Sequence, residues 1–193
     1  MSLRLMASGC LAALLALSQA ATAQSPTLRG PWLGAGIGTA SASVNCELCV
    51  DDRNGGFSGY LTGGITLSPS VRAGAELMGW FDNTNEISQR LLLYGASLYW
   101  SPVATNRWYL KGGLGLLNYH ADDTADEEDD PLHSGTAALQ IGSGYELRAG
   151  PRLAVAPYVN LVVTTSGNLT SGNTIVTDAS FSLFQLGVGV TWR

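Results

Sequence analysis

The sequence predicts an all-β chain: an eight-stranded antiparallel up-and-down transmembrane β-barrel, preceded by a cleaved signal peptide. Three observations carry this. The chain opens on an export signal. The remainder divides into eight alternating segments with large apolar residues on one face. Charge is scarce: 46% of the 193 residues are hydrophobic and only 13% are charged, whereas a soluble domain normally carries about 25% charged residues.

The first element is the signal. Arg4 supplies a short positive region, Leu5 to Leu17 an apolar core, and Ala21-Thr22-Ala23 the small residues of a cleavage site. This order marks a secretory signal peptide spanning 1–23, with the domain occupying 24–193. The apolar run is too short for a retained membrane anchor. Cys10, in Ala-Ser-Gly-Cys, precedes most of the apolar stretch and so is not placed for lipidation. After Ala23 no stretch approaches the ~18 apolar residues of a membrane helix.

The eight segments fall at roughly 31–43, 56–67, 71–81, 90–100, 107–119, 136–148, 153–165 and 180–192. Each alternates with the period of two that a strand requires. In the last, Phe184, Leu186, Val188, Val190 and Trp192 share one face, and Gln185, Gly187, Gly189 and Thr191 the other. In the third, Val71, Ala73, Ala75 and Leu77 oppose Arg72, Gly74 and Glu76. In the fifth, Trp108, Leu110, Leu114 and Leu116 oppose Lys111, Gly113 and Gly115. Most segments match the ~10 residues a tilted strand needs to cross a bilayer. A soluble barrel would turn the apolar face inward and present many Lys and Glu to water; a membrane barrel reverses the faces. The second face here is small, with isolated charges, which suits a narrow barrel interior. The alternative is a soluble periplasmic ligand-binding barrel. Aromatic residues near segment ends (Trp80, Phe81, Tyr94, Trp100, Trp108, Tyr109, Tyr119, Phe181 and Trp192) are expected to form girdles at the two interfaces.

The links give an orientation. Segments 2–3, 4–5 and 6–7 join through short Pro-containing turns at 68–70, 101–106 and 149–152. The other links, 44–55, 82–89, 120–135 and 166–179, are mostly longer. Outer-membrane barrels have short periplasmic turns and longer external loops, so the termini are expected in the periplasm. Charge sorts the same way. Every acidic residue except Glu76 and Glu146 lies in the four longer links, while Arg29, Arg72, Arg107, Arg148, Arg152 and Arg193 lie toward the other end.

With these features in place, the chain resembles small eight-stranded outer-membrane barrels of Gram-negative bacteria: the OmpA membrane domain, OmpX/Ail and OmpW-type proteins. The resemblance rests on "GWF" at 79–81, "WYLKGGLGLLNY" at 108–119, "GSGYELR" at 142–148 and the closing "FQLGVGVTW". It implies a monomer embedded among outer-membrane lipid and lipopolysaccharide. It also implies insertion by the barrel assembly machinery, which reads alternating apolar residues ending in an aromatic. Here Arg193 follows Trp192, a departure from that pattern. No peptidoglycan-binding domain is expected after the barrel, and nothing suggests nucleic-acid binding.

Eight strands leave an interior that side chains roughly fill. The charges on the small face, Arg72, Glu76, Lys111, Glu146 and Arg148, are expected to pair there, since isolated buried charges are very costly. Such a network implies either a structural plug or the gate of a narrow ion or small-solute channel. The run "DDTADEEDD" suggests a solvated loop or loose Ca²⁺ or Mg²⁺ binding at Asp122, Asp123, Asp126, Glu127, Glu128, Asp129 and Asp130; it lacks the Gly of an EF-hand. Some related barrels are lipid A-modifying enzymes using His, Ser and a carboxylate. His120, His133 and Ser134 are the only such set here, and adjacency of His133 and Ser134 disfavours a nucleophile–base pair; no enzyme is expected. Cys46 and Cys49 fit a disulfide on the first external loop, contributing about 2 kcal/mol through chain entropy. A metal site or free thiols remain alternatives, and neighbouring Glu47, Asp51 and Asp52 disfavour a reactive thiolate.

Overall fold

A computed structural model of the chain describes residues 30–45, 53–84, 87–103, 107–123, 132–165, 167–171 and 174–193. Ten strand segments make the fold: β1 (Pro31–Asn45), β2 (Arg53–Ser68), β3 (Val71–Thr84), β4 (Ile87–Trp100), β5 (Trp108–Asp123), β6 (Leu132–Tyr145), β7 (Leu147–Arg148), β8 (Leu153–Thr164), β9 (Gly167–Ser171) and β10 (Thr174–Trp192). They form eight staves. β7 continues β6 beyond Glu146 and pairs with β8, while β9 continues β8 and pairs with β10. All pairings are antiparallel between neighbours, and β1 closes on β10 from Leu33↔Trp192 to Asn45↔Ser180. Among the described residues closure leaves no unpaired sheet edge, which a lipid environment demands.

Alternation decides what each face meets. Leu33, Ile37, Leu61, Leu114, Ile141, Leu186 and Val188 are exposed on the outside, Leu114 to 68%. Trp32, Ser58, Glu76, Gln140, Asn160 and Gln185 are buried inside. The apolar face is therefore the outer one. Several strands run further than the alternating pattern indicates, always at the end carrying the longer links: β3 continues to Thr84, β5 to Asp123, and β10 begins at Thr174. The ladder continues there with polar side chains such as Arg53, Asn83 and Gln89, which have no need of the lipid-facing alternation.

Three expectations change. Trp80, Tyr109, Tyr119 and Phe181 do not belong to the outer girdles; they are buried inside, whereas Phe81, Tyr94, Trp100, Trp108 and Trp192 face outward. Asp82, expected in a loop, lies on β3 and is buried. The interior is also not uniformly small. Its loop-end half is an apolar cluster that includes Met78, Trp80, Leu91, Leu93, Leu117 and Leu183.

Small residues matter most where strands or rings approach closely. At the closing seam, a Cβ on Gly36 or Gly189 would overlap the Tyr60 side chain, and one on Gly187 would meet the Tyr158 hydroxyl. The two tyrosine rings meet edge to face at 5.0 Å, covering the glycine floor. On β2, a Cβ at Gly64 would overlap the Ala73 carbonyl oxygen and the Gly74 Cα, whereas Gly112 on β5 has nothing within 4 Å. Gly64→Ala is expected to destabilise by about 1–3 kcal/mol through overpacking. Gly112→Ala should be neutral or gain about 0.5–1 kcal/mol. Urea unfolding in vesicles, read from the gel shift between folded and unfolded barrel, checks the contrast; equal midpoints would contradict it.

Candidate functional site

The interior divides into storeys along the barrel axis. Nearest the short turns, Arg72 donates from its Nη2 to the Glu146 carboxylate at 2.8 Å. Arg193 pairs with the other oxygen of the same carboxylate. The Arg72 guanidinium also lies over three rings, at 5.2 Å from Trp32, 5.1 Å from Tyr99 and 5.8 Å from Tyr109. Strand geometry explains the meeting. Trp32, Arg72, Tyr99 and Tyr109 occupy inward positions near the same ends of β1, β3, β4 and β5. Planar guanidinium stacks on rings while its edge donates to a carboxylate, a combination lysine cannot reproduce.

One step deeper, Lys111 pairs with Glu76, and both side chains are almost wholly buried. The other Glu76 oxygen accepts from Ser97 Oγ at 3.0 Å and from the Tyr99 hydroxyl at 2.9 Å. Gln140 donates to Ser97 at 2.9 Å. With its amide oriented to satisfy both neighbours, Asn160 accepts from Lys111 Nζ at 3.0 Å and donates to the Ile141 carbonyl at 3.2 Å. Glu76 therefore has several donors in place of water, which is what allows a carboxylate to remain inside. Tyr99 joins the storeys: its hydroxyl donates to Glu76 while its ring carries Arg72.

The residues expected to converge from sequence do so in two pairs, Arg72 with Glu146 and Lys111 with Glu76. Arg148 is the correction. It sits on the two-residue β7, opposite Ala154, and is exposed at the barrel end. Arg193 takes the place next to Glu146, held by a backbone hydrogen bond of 2.9 Å from its amide to the Arg152 carbonyl. The uncharged members, Ser97, Tyr99, Gln140 and Asn160, are not singled out by sequence. Their signal is present all the same: each is a polar residue at an inward position of its segment.

Other sequence candidates are placed only in part. Cys46, Cys49 and 124–130 lie outside the described residues. Asp122 and Asp123 belong to the end of β5, opposite Ser88 and Ile87. His120 and His133 are cross-strand partners in the β5–β6 register, one position from Tyr119↔Ser134. Among the described residues no group of three or more His, Cys, Asp or Glu is gathered for a metal.

A closed eight-stave barrel with an apolar outside and an interior ionic at one end and apolar at the other defines a small membrane-spanning β-barrel. Residues 9–192 match the outer membrane protein beta-barrel domain, and the chain belongs to that family. No curated protein matches it in sequence. Among solved structures it is similar to Neisserial surface protein A, at 15% identity and a TM-score of 0.59, covering 85% of this chain and 99% of that one. It is also similar to Ail, the attachment invasion locus protein of Yersinia pestis, at 13% identity and a TM-score of 0.54, covering 83% of this chain and 98% of that one. At these identities the likeness is one of fold.

Proposed function

We propose that the chain is a monomeric outer-membrane barrel with a structural or surface-interaction role, its interior a permanent plug and its longer loops the acting surface. The observation that carries this reading is the packing of the interior by the described residues. The ionic storeys abut the apolar cluster around Trp80, and the void beside Lys111 and Asn160 has a volume of about 10 Å³, near the minimum for one water. The termini and short turns face the periplasm in this reading, and the acidic loops face outward, where Ca²⁺ or Mg²⁺ would relieve repulsion between 122–130 and lipopolysaccharide phosphates.

The test has two parts. Fractionation should place the protein in the outer membrane, with an epitope inserted at 124–131 detected on intact cells. In planar bilayers the purified barrel should give no steady conductance. The polar half of the interior favours one second reading, a narrow channel gated at Lys111. A clear wild-type conductance that Lys111→Met alters would replace the plug with that channel. The reading assigns no catalysis, so expression should leave the lipid A mass spectrum unchanged.

A further inference from the structure

Near the end that carries the longer links, one row of cross-strand partners runs along the outer wall. Phe57 of β2 stands opposite Phe81 of β3, Phe81 opposite Arg90 of β4, Arg90 opposite His120 of β5, and His120 opposite His133 of β6. Phe57, Phe81 and Arg90 are exposed on the outer face. Alternation gives both histidine positions that same face. On β5, Leu117 and Tyr119 are buried and Asn118 between them is exposed; on β6, Ser134 and Thr136 are buried and Gly135 between them is exposed.

The histidine pair lies beyond the apolar belt. The outward positions of β5 read Leu114, Leu116, Asn118, His120 and Asp122, so lipid-suited residues stop at Leu116. Asn118 donates to the Tyr94 hydroxyl at 2.9 Å on the exposed face, an arrangement suited to an interface and not to hydrocarbon. β6 changes in step, from Ile141, Leu139 and Ala137 to Gly135 and His133. A Cβ at Gly135 would meet only the Asn118 Oδ1 within 4 Å, so the approach along β6 is open. His120 is half-buried and can be reached from water.

Residues directly opposite on one face of an antiparallel pair hold their Cβ atoms about 4.5–5.5 Å apart. From that separation two imidazoles can reach a single ion with metal–nitrogen bonds of about 2.0–2.1 Å. The ladder fixes the spacing before any ion arrives. Imidazole suits copper, zinc and nickel, whereas calcium and magnesium take oxygen ligands. Arg90, the other cross-strand partner of His120, opposes a cation by its charge; Asp122, the next position of the same face on β5, offsets it.

We propose that His120 and His133 form a binding site for a late first-row divalent transition-metal ion, Cu²⁺ ahead of Zn²⁺ in the general order of stability. The ion joins β5 to β6, with water completing its shell. The site depends on the ladder register alone, and not on the plug, the orientation or a Ca²⁺ or Mg²⁺ role for 122–130. Engagement of the second imidazole is intramolecular once the first has bound, so loss of either histidine should weaken binding about 100-fold.

The test uses the folded full chain without a polyhistidine tag, with folding read from gel migration. Equimolar Cu²⁺ should give an electron paramagnetic resonance spectrum with hyperfine structure from more than one nitrogen. Zn²⁺ should displace the copper, and a large excess of Ca²⁺ or Mg²⁺ should not. His120→Asn and His133→Asn should each weaken Cu²⁺ binding about 100-fold, while Cys46→Ser with Cys49→Ser should leave it unchanged. Zn²⁺ should also raise the urea midpoint of the wild type and not that of either histidine variant. A wild-type spectrum with oxygen ligation only overturns the inference, as does displacement by Ca²⁺. So does nitrogen ligation that the double histidine variant retains or that the cysteine variant loses. Where a histidine variant does not fold, the wild-type spectrum and its Zn²⁺ response decide the matter.

Discussion

Replacing Glu76 with leucine is expected to cost about 3–5 kcal/mol of stability, the range for removing one partner of a buried ion pair. The magnitude reflects the groups left behind. Lys111 would remain buried without its carboxylate, and Ser97 and Tyr99 would lose their shared acceptor. The Asn160 oxygen, at 3.0 Å from Lys111 Nζ, is a neutral dipole and offsets little of the charge. The double variant Glu76→Leu with Lys111→Met should recover at least half of the loss, because an apolar pair of similar volume needs no solvation. Urea titration of the folded gel band in vesicles gives all three free energies. A double variant as unstable as the sum of the two single ones would show that the pair is not coupled, and that the cost lies in packing instead.

The ionic storeys have a consequence for the barrel as a whole. Arg72, Tyr99 and Glu76 lie on β3 and β4, Lys111 on β5, and Glu146 just beyond β6, so the contacts cross the lumen and the wall at once. Staves that are only laterally hydrogen-bonded can slide in register; a one-residue slip moves every side chain to the other face. Here such a slip would take Lys111 or Glu76 into lipid. The charges thus fix register as well as fill space.

The fold was legible because lipid imposes a strict rule on each outward residue, and that rule writes itself into the alternation of Phe184, Leu186, Val188, Val190 and Trp192. The interior was less legible. Alternation shows that Arg72, Glu76, Lys111 and Glu146 point inward, but which pairs form depends on stagger between staves, which no single segment carries. Arg148 illustrates the limit. Counting in twos from Gly142 places it inward, and its pairing with buried Ala154 keeps that phase, yet it stands past Glu146 at the open barrel end and is exposed there, while Arg193 reaches Glu146 from β10. The apolar storey was hidden for another reason. In β4, Leu91 and Leu93 point inward and Leu92 and Tyr94 outward, so a continuous apolar run conceals two faces with different surroundings.

Trp80 belongs to that hidden storey, and Trp80→Ala is expected to cost about 3–5 kcal/mol, the range for truncating a fully buried aromatic. Within "GWF" the sequence favours a girdle residue, and for Phe81 that holds, since its ring is exposed. Trp80 is instead wholly buried. Its indole leaves β3, passes over Gly56 of β2, where a Cβ would approach the indole nitrogen closely, and donates to the Ala40 carbonyl of β1 at 3.2 Å. One side chain thereby ties three staves together. Trp80→Phe should retain most of the packing and lose about 1 kcal/mol with the hydrogen bond. Quenching by brominated lipid separates this account from a girdle role: Trp80→Phe should leave the quenched fraction of emission no smaller than in the wild type, whereas Trp108→Phe should reduce it. A quenched fraction that falls in Trp80→Phe would place the indole in lipid and refute the interior assignment.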